Sequence, residues 1–257
     1  MASEPSAHDV VLQTRGLSVT FGGLTAVNEV DLDCRAGQLT GLIGPNGAGK
    51  TTFIDAVTGF LPNNATGHVE LDGTDVFGRP PHTLAHLGLT RTWQTLELFD
   101  DITVRENLTV ASEPLRLRDF AQDFFRPRKV PDRVEEVITL LDFEDIADRK
   151  PRELSQGQRK MVGVGRALTA PDTRVLLLDE PAAGLDKSET EWFGDQLRSL
   201  VDGGVSMLLI DHDMGLVLRV CDRIHTLVFG ELIASGTPTE IRSNPEVVRA
   251  YLGSGEI

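Results

Sequence analysis

Alternating apolar and polar residues in the first third of the chain predict β-strands. Three stretches read as strands, Val10–Thr20, Asn28–Asp33 and Gly67–Leu71, and the alternation is clearest in the last part of each. A Gly22-Gly23 pair separates the first two stretches, as a turn would. Such alternation is typical of strands that bury one face. We therefore expect a small antiparallel β layer near the N-terminus.

The centre of the chain changes to a helical period. Apolar residues recur there at i, i+3, i+4 and i+7, namely at Val134, Val137, Ile138 and Leu141. This spacing places them on one face of a helix. We interpret residues from about 95 to 170 as a helical subdomain inserted into an α/β core. Residues 114–131 show no clear period.

Continuous apolar runs appear in the last third. Val175–Leu178 and Val205–Ile210 are almost entirely apolar, as parallel strands buried on both faces should be. The same patterns predict a helix face with Phe193, Leu197, Leu200 and Val201, and strands over Arg223–Phe229 and Leu232–Ala234. The pattern of apolar and polar residues thus predicts an α/β fold over residues 10–257, preceded by a flexible, polar N-terminus at residues 1–9.

Residues 44–51 read GPNGAGKT and match the phosphate-binding loop pattern G-x-x-x-x-G-K-[ST]. A strand-like run, Leu39–Ile43, precedes this loop and a helix-like run, Thr52–Val57, follows it. Loop N–H groups and the positive end of the helix dipole then meet at one point, where phosphates bind. We expect Lys50 to reach the β- and γ-phosphates of a nucleotide, and Thr51 to bind Mg²⁺. An ordinary glycine-rich turn would need neither flanking element.

Charge and composition narrow the class of protein. The 257 residues include 25 basic and 39 acidic ones, for a net charge of -14. This balance argues against nucleic acid as the main partner, because phosphate neutralisation needs a positive surface. The apolar runs are shorter than the ~20 residues of a membrane span, and the polar residues 1–9 do not resemble a signal peptide. Any work at a membrane would be that of a peripheral subunit.

The two cysteines, Cys34 and Cys221, are far apart and form no C-x-x-C motif. We expect both to be small core residues in a reduced, cytosolic setting.

Two acids follow the apolar run at Val175–Leu178. At the carboxyl end of a parallel strand, Asp179 and Glu180 would face the crevice where open α/β sheets bind ligands. Asp179 is predicted to hold Mg²⁺ through water, and Glu180 to act as general base for an attacking water. The alternative is a pair of solvated acids. His212 follows the next apolar run and is expected at the same edge; its alternative is a histidine that caps the following helix.

A third string, Leu154–Gln158, reads LSQGQ. Ser155 is a favoured N-cap for a helix over Gln156–Leu168. Gly157 leaves the first turn uncrowded, so that its backbone N–H groups stay open to an anion. The alternative is a plain capped helix.

In this order, the strings resemble the motifs of ATP-binding cassette (ABC) ATPases. They are GPNGAGKTT at 44–52, LSQGQ at 154–158, VLLLDEP at 175–181, AGLD ending at Asp186, and His212. The resemblance covers nearly the whole chain, and the joint occurrence of the motifs is very specific. Gln156 replaces the first glycine of the family pattern LSGGQ. Ser155 and Gly157, the phosphate-contacting positions, are kept.

The resemblance implies a role for each matching residue. Gln94 would contact Mg²⁺ and the attacking water, and His212 would contact the γ-phosphate and Glu180. Phe21 matches the aromatic that stacks on adenine; the alternative is a core phenylalanine. The implied ATP-binding residues are Phe21, Gly44, Pro45, Asn46, Gly47, Ala48, Gly49, Lys50, Thr51, Thr52, Ser155, Gln156, Gly157, Gln158 and Asp186. The implied Mg²⁺ site comprises Thr51, Gln94 and Asp179.

The resemblance also implies the fold and the partners. The fold would be a P-loop NTPase core of the ABC ATPase type, with an N-terminal antiparallel β layer and an inserted helical subdomain. Residues 88–108, 178–186 and the NPEVVRAYLG string look like the branched-chain amino-acid importer ATPase group. That group works at the cytoplasmic face of the membrane with two permease subunits, an extracytoplasmic solute-binding protein and often a second, related ATPase.

Three alternatives stay open. One is a related urea or amide importer ATPase, or a lipopolysaccharide exporter ATPase. Another is a soluble ABC ATPase of translation or DNA repair, which usually has two cassettes or a long coiled coil. The third is a GTPase or kinase on the same P-loop, which would have no use for LSQGQ and would carry an N-K-x-D-type string in the GTPase case.

Two further expectations concern surfaces. The apolar cluster Leu96, Leu98 and Phe99 is expected to line a groove for a short permease helix. The P-loop and LSQGQ are expected to act in trans across a head-to-tail dimer, since one chain would have difficulty closing both on one ATP.

Overall fold

The computed structural model describes residues 10–92, 98–112, 130–170 and 172–252. The strands in these ranges are β1 (Val10–Phe21), β2 (Leu24–Arg35), β3 (Leu39–Ile43), β4 (Ala65–Leu71), β5 (Thr74–Asp75), β6 (Leu89–Arg91), β7 (Val175–Asp179), β8 (Met207–Ile210), β9 (Arg223–Val228) and β10 (Glu231–Gly236). The helices are α1 (Lys50–Val57), α2 (Pro81–His86), α3 (Val104–Ser112), α4 (Asp132–Leu140), α5 (Gln156–Leu168), α6 (Lys187–Asp202), α7 (Met214–Val220), α8 (Pro238–Ser243) and α9 (Pro245–Leu252).

The N-terminal layer is an antiparallel sheet in the order β2-β1-β4-β5. β1 and β2 form a hairpin around Gly22 and Gly23, in which Phe21 lies opposite Leu24. The predicted antiparallel layer is therefore confirmed. Both hairpin strands extend beyond their alternating stretches, because backbone pairing does not require alternation of side chains.

Six strands form the larger sheet, in the order β10-β9-β3-β8-β7-β6. All neighbours in it pair in parallel except β10, which runs antiparallel to β9. Every residue of β3, β7 and β8 is buried, which explains their continuous apolar sequences. The strand expected from Val205 begins only at Met207. The carboxyl ends of the parallel strands meet at one edge, which is where ligands bind in such sheets.

Helix α1 packs between the two sheets. Phe53, Ile54 and Val57 share one apolar cluster with Leu12 of β1 and Leu177 of β7. A second cluster covers the opposite face of the larger sheet and includes residues of α5, α6 and α7. The phosphate-binding loop thus connects a buried strand to a buried helix and is supported on both sides.

Helices α3, α4 and α5 lie between β6 and β7 in the chain and pack on one another. Gly165 of α5 sits at their contact: a Cβ there would lie 2.7 Å from a methyl group of Leu141 and 3.0 Å from one of Leu108. The predicted helical period is confirmed, since Val134 and Val137 are buried on α4. The limits of a helical subdomain at about 95–170 and the flexible N-terminus stay predictions; residues 1–9, 93–97, 113–129, 171 and 253–257 lie outside the described residues.

Both cysteines are buried, as expected of core residues. Burial raises the pKa of the Cys34 thiol to about 12 and raises that of Cys221 as well. None of the described helices is both long enough and apolar enough to cross a membrane.

Candidate functional site

The phosphate-binding loop joins the end of β3 to the start of α1. The Lys50 side chain is 6% exposed. Its ammonium Nζ donates to the carbonyl oxygens of Gly44 at 2.6 Å and of Pro45 at 3.2 Å. The charge of Lys50 is therefore held at the loop itself, where the motif predicts a phosphate. Thr51, the next residue, is exposed on the first turn of α1.

The glycines of this loop serve two different needs. A Cβ at Gly44 would lie 2.0 Å from the Leu227 carbonyl oxygen, and one at Gly49 would lie 2.4 Å from the Ala26 carbonyl oxygen. These two glycines let the backbones of β9 and β2 approach the loop. Gly47 has φ 78°, and a Cβ there would meet nothing within 4 Å. Gly47 alone among these three faces open space, and its positive φ is a backbone conformation that favours glycine.

Asp179 is the last residue of β7 and is 4% exposed. Its Oδ2 accepts a hydrogen bond from Arg91 Nη2 at 2.8 Å. Its Oδ1 is buried and has no hydrogen-bond partner within the described part of the chain. A buried carboxylate oxygen without a partner is costly. This oxygen therefore fits the predicted role of Asp179 toward Mg²⁺, which prefers carboxylate and water oxygens.

Glu180 and His212 are brought together at the same sheet edge. In the β7–β8 register, Asp179 lies beside Ile210, and the Glu180 amide donates to the Ile210 carbonyl at 2.7 Å. The Glu180 Oε2 lies 3.8 Å from His212 Nδ1, and the two side chains are 24% and 55% exposed. Glu180 has φ 46°, a conformation that non-glycine residues seldom adopt and that is frequent at functional sites. The two residues thus lie side by side at the same edge of the sheet, as the motif order predicted.

Asp211, which the sequence analysis did not single out, links the two segments. It is 1% exposed. Its Oδ1 accepts from the Asp213 amide at 3.0 Å, and its Oδ2 accepts from the Ala182 amide at 3.3 Å. Burial raises the pKa of Asp211. Asp211 therefore ties the turn after Glu180 to the turn around His212; an acid directly after the fully apolar strand β8 was the signal that could have revealed it.

The LSQGQ string forms the N-terminus of α5, as predicted. Ser155 is the N-cap: its hydroxyl accepts from the Gln158 amide, and the Gln158 side chain accepts from the Ser155 amide, which completes a capping box. Ser155 and Gln156 are exposed, whereas Gly157 is buried.

The expectation that the Gly157 N–H stays open is wrong in this state. The Gly157 amide donates to Glu189 Oε1 at 3.2 Å, and a Cβ on Gly157 would lie 3.3 Å from the Trp192 ring. The cause is helix α6, which starts beside the first turn of α5. Asp186 caps α6 by accepting from the Glu189 amide at 2.8 Å, and this backbone hydrogen bond is the main cause of the lowered pKa of Asp186.

Phe21 is 42% exposed at the end of β1, so the alternative of a core phenylalanine is wrong. Phe99 is 50% exposed. Its backbone is held at both ends by Asn107, which accepts from the Phe99 amide at 2.9 Å and donates to the Phe99 carbonyl at 3.0 Å. The Arg166 guanidinium lies 5.5 Å from the Phe99 ring centroid. Gln94 and Leu96 lie outside the described residues, so their roles stay predictions.

The geometry defines a class of protein. A P-loop on the central strand β3, an acid pair and a histidine at the ends of β7 and β8, and a capped LSQGQ helix together form the core of an ABC-type ATPase. The family model described as "ABC transporter" matches residues 27–183, more than half of the chain. A second model, "Branched-chain amino acid ATP-binding cassette transporter", matches residues 231–257.

The chain belongs to the ABC transporter ATP-binding protein family, and within it to the branched-chain amino acid (LivG/BraF-like) type. It is 38% identical to the high-affinity branched-chain amino acid transport ATP-binding protein BraF of Pseudomonas aeruginosa, over 95% of this chain and 98% of that protein. It is also 38% identical to the corresponding LivG protein of Escherichia coli (strain K12), with the same two coverages. The solved ADP conformation of MJ1267, an ATP-binding cassette of an ABC transporter, superimposes with a TM-score of 0.82 at 31% identity, over 95% of this chain and 99% of that one. The predicted family, fold class and ATPase activity are therefore confirmed.

Proposed function

We propose that this ATPase drives the import of branched-chain amino acids through separate permease subunits, using Mg-ATP bound at the P-loop edge of the larger sheet. The observation that carries the proposal is the convergence of Glu180 and His212, with 3.8 Å between Oε2 and Nδ1, beside the buried carboxylate of Asp179. The matching relatives are named as branched-chain amino acid transport proteins over nearly their whole length.

Each side chain has a distinct task in hydrolysis. Lys50 binds the β- and γ-phosphates, and Thr51 and Asp179 hold the cation, with Gln94 assigned to it by resemblance. Mg²⁺ neutralises charge on the phosphate oxygens when it is bound. Glu180 accepts a proton from the attacking water, and His212 donates a hydrogen bond to the γ-phosphate. The Glu180 amide donates to the Ile210 carbonyl at 2.7 Å and so fixes the turn. The carboxylate of Glu180 therefore does not have to change position before it accepts the proton.

The second half of each ATP site comes from another subunit. Ser155 lies exposed at the N-terminus of α5, where the positive end of the helix dipole favours an anion. Two chains related by a two-fold axis place Lys50 of one opposite Ser155–Gly157 of the other and hold two ATP molecules between them. The hydrogen bond from Gly157 to Glu189 then has to be exchanged for one to phosphate. The partner is a second copy or a related ATPase.

The permease contacts the surface around Leu98 and Phe99. Phe99 presents half of its side chain to solvent while its backbone is fixed by Asn107, which is the geometry of a preformed contact and not of a loose loop. In this proposal the chain is a peripheral subunit at the cytoplasmic face of the membrane. It meets the extracytoplasmic solute-binding protein only indirectly, through the permease, and its acidic charge balance does not favour nucleic acid as a partner.

Transport in a reconstituted system tests the proposal. The chain is combined in liposomes with the permease subunits that co-purify with it and with a solute-binding protein, and ATP-dependent uptake of radiolabelled leucine and of urea is measured. Leucine uptake that requires ATP and is lost in Lys50→Ala supports the proposal. ATP-dependent urea uptake without leucine uptake would replace it with the related urea-importer alternative.

A further inference from the structure

Arg91 is a buried cation at the edge of the larger sheet. It is the last residue of β6, and its side chain is 7% exposed. The parallel register of β6 and β7 pairs Arg91 with Leu177. Because side chains alternate along a strand, Arg91, Leu177 and Asp179 project from the same face of the sheet. This is the face on which α1 packs.

The guanidinium of Arg91 is held by two elements at once. Nη2 donates to Asp179 Oδ2 at 2.8 Å, and Nη1 donates to Asp55 Oδ1 at 2.6 Å. Nη1 also lies 3.3 Å from the Thr58 hydroxyl, and the group stands 6.0 Å from the ring centroid of Phe60. Asp55, Thr58 and Phe60 belong to α1 or to the turn after it. The helix that begins at the phosphate-binding loop is therefore tied to the acidic strand end through one side chain.

The two carboxylate oxygens of Asp179 have different surroundings. Oδ2 is occupied by Arg91, whereas Oδ1 is buried without a hydrogen-bond partner among the described residues. Two carboxylates share one guanidinium, so the group of three keeps one negative charge. A fixed orientation, one available oxygen and a residual negative charge are what a divalent cation requires from such a ligand.

We propose that Arg91 is a positioning residue for the magnesium site: it binds one oxygen of Asp179 and thereby presents the other to the cation, while Asp55 holds Arg91 in place. The inference rests on the proposed role of Asp179 toward Mg²⁺. A lysine cannot replace Arg91, because an ammonium lacks the planar fork that reaches two carboxylates in fixed directions. A buried ion pair that only stabilises the fold would have no effect specific to the metal.

The test separates metal binding from nucleotide binding. Arg91→Lys and Asp55→Ala are made in a Glu180→Gln chain, so that ATP is not turned over during the measurement. ATP affinity is measured by calorimetry in EDTA and again during a Mg²⁺ titration. We expect unchanged affinity in EDTA, and a Mg²⁺ concentration for half-maximal effect that rises by roughly tenfold in Arg91→Lys, since a charge-assisted hydrogen bond is lost. A smaller rise is expected in Asp55→Ala, which leaves both Arg91 and Asp179 intact.

Arg198→Lys is a matched control. The Arg198 guanidinium also bridges two carboxylates, those of Asp222 at 2.9 Å and Asp202 at 3.0 Å, but on α6. Arg198→Lys should change neither the ATP affinity in EDTA nor the dependence of ATP affinity on Mg²⁺. Asp179→Asn serves as the positive reference, because it removes the charge of the ligand itself.

The outcomes are distinct. Equal loss of affinity with and without Mg²⁺ in Arg91→Lys and Asp55→Ala would overturn the inference and make Arg91 a structural residue. A Mg²⁺ dependence that changes in Asp179→Asn but in neither of these variants would overturn it too, while leaving the proposed function standing. Failure of the Glu180→Gln chain to bind ATP at all would contradict both the inference about Arg91 and the proposed function. A selective change in the Mg²⁺ dependence, reproduced by Asp55→Ala even if Arg91→Lys folds poorly, supports it.

Discussion

The phosphate-binding loop and the LSQGQ string both lead into the N-terminus of a helix, but the chain supports them in different ways. The loop lies between the backbones of β9 and β2, which approach so closely that Gly44 and Gly49 have no room for a Cβ. Lys50 is 6% exposed there. Ser155 and Gln156 are exposed, and the hydrogen bonds of Ser155 stay within the first turn of α5. One motif is thus built into the core and the other is presented at the surface.

This difference fits the proposed sharing of each ATP site between two chains. Asp179 ends a strand of the larger sheet, Lys50, Glu180 and His212 follow such strands, and all four lie at its carboxyl edge. At the N-terminus of the LSQGQ helix, backbone N–H groups are partnered by the capping box of Ser155 with Gln158 and by Glu189, and Ser155 itself is exposed. The contrast predicts that changes at the loop and at the acid pair act within one subunit, and that changes at Ser155 act on the other subunit.

The largest effect is expected at the acid pair. Glu180→Gln keeps ATP binding but should lower turnover by a factor of ~10² to 10⁴, the usual cost of losing a general base. Lys50→Ala should instead weaken nucleotide binding. ATP affinity and steady-state hydrolysis are measured for both, with Glu144→Gln on an exposed turn as control. Near-normal turnover in Glu180→Gln would refute its assignment as base.

The trans arrangement is tested by mixing two inactive variants. Lys50→Ala damages the loop and Ser155→Arg damages the helix end. In a mixed head-to-tail dimer, one site carries both lesions and the other carries neither, so ATPase activity absent from each variant alone should return. If the native partner is a paralogue, the variants are divided between the two subunits. No recovery, despite mixed dimers shown by cross-linking, would contradict the proposed arrangement in which the P-loop of one chain and the LSQGQ helix of the other share an ATP.

A buried histidine in the strand next to β3 should make the stability of the chain depend on pH. His225 of β9 pairs with Leu42 of β3 beside the loop, and is 4% exposed. Burial, helped by the charge of Arg223 and opposed by Asp33, lowers the pKa of His225 to about 4. The folded state therefore favours neutral His225, so its contribution is complete above the unfolded pKa of about 6.5 and is lost as the pH falls toward 4.

The loss should amount to about 3 kcal/mol of unfolding free energy. Urea unfolding at pH 7.5 and pH 4.5 measures it in the wild-type chain and in His225→Gln, which should lose much of the pH dependence. His68→Gln on β4, where the side chain is exposed, is the control. An equal pH dependence in His225→Gln and the wild type would exclude His225 as its source.

The fold was predictable wherever a local pattern determines it. The helix Gln156–Leu168 and its Ser155 cap were predicted to the residue, because capping is a contact over three positions. The capping box of Thr237 with Glu240 at α8 is a contact over the same three positions. The start of α1 at Lys50, two residues before the apolar run begins, was missed because the loop itself opens the helix.

The contacts that complete the site were not predictable in this way. Arg91 meets partners 36 and 88 positions away, and Asp211 meets Ala182 at 29 positions. The bond between Gly157 and Glu189 spans 32 positions. Pairings over such separations depend on the order of strands and on helix packing, neither of which is visible in a motif. The available hint was a charged residue at the end of a strand or directly after it, as at Arg91 and Asp211.

The smallest effect is expected at Phe21, and it refines the contrast. Phe21 lies at the end of β1 and is 42% exposed, so its ring is available to a ligand. If it stacks on adenine, Phe21→Ala should weaken ATP and ADP equally, by about 1 kcal/mol, because stacking ignores the γ-phosphate. Phe21→Tyr should be nearly neutral, since only a flat ring is needed. Leu24→Ala is the matched control, because Leu24 lies opposite Phe21 in the hairpin and is 68% exposed. Calorimetric titration of both nucleotides decides the matter: a loss confined to ATP, or an equal loss in Leu24→Ala, would place the adenine elsewhere.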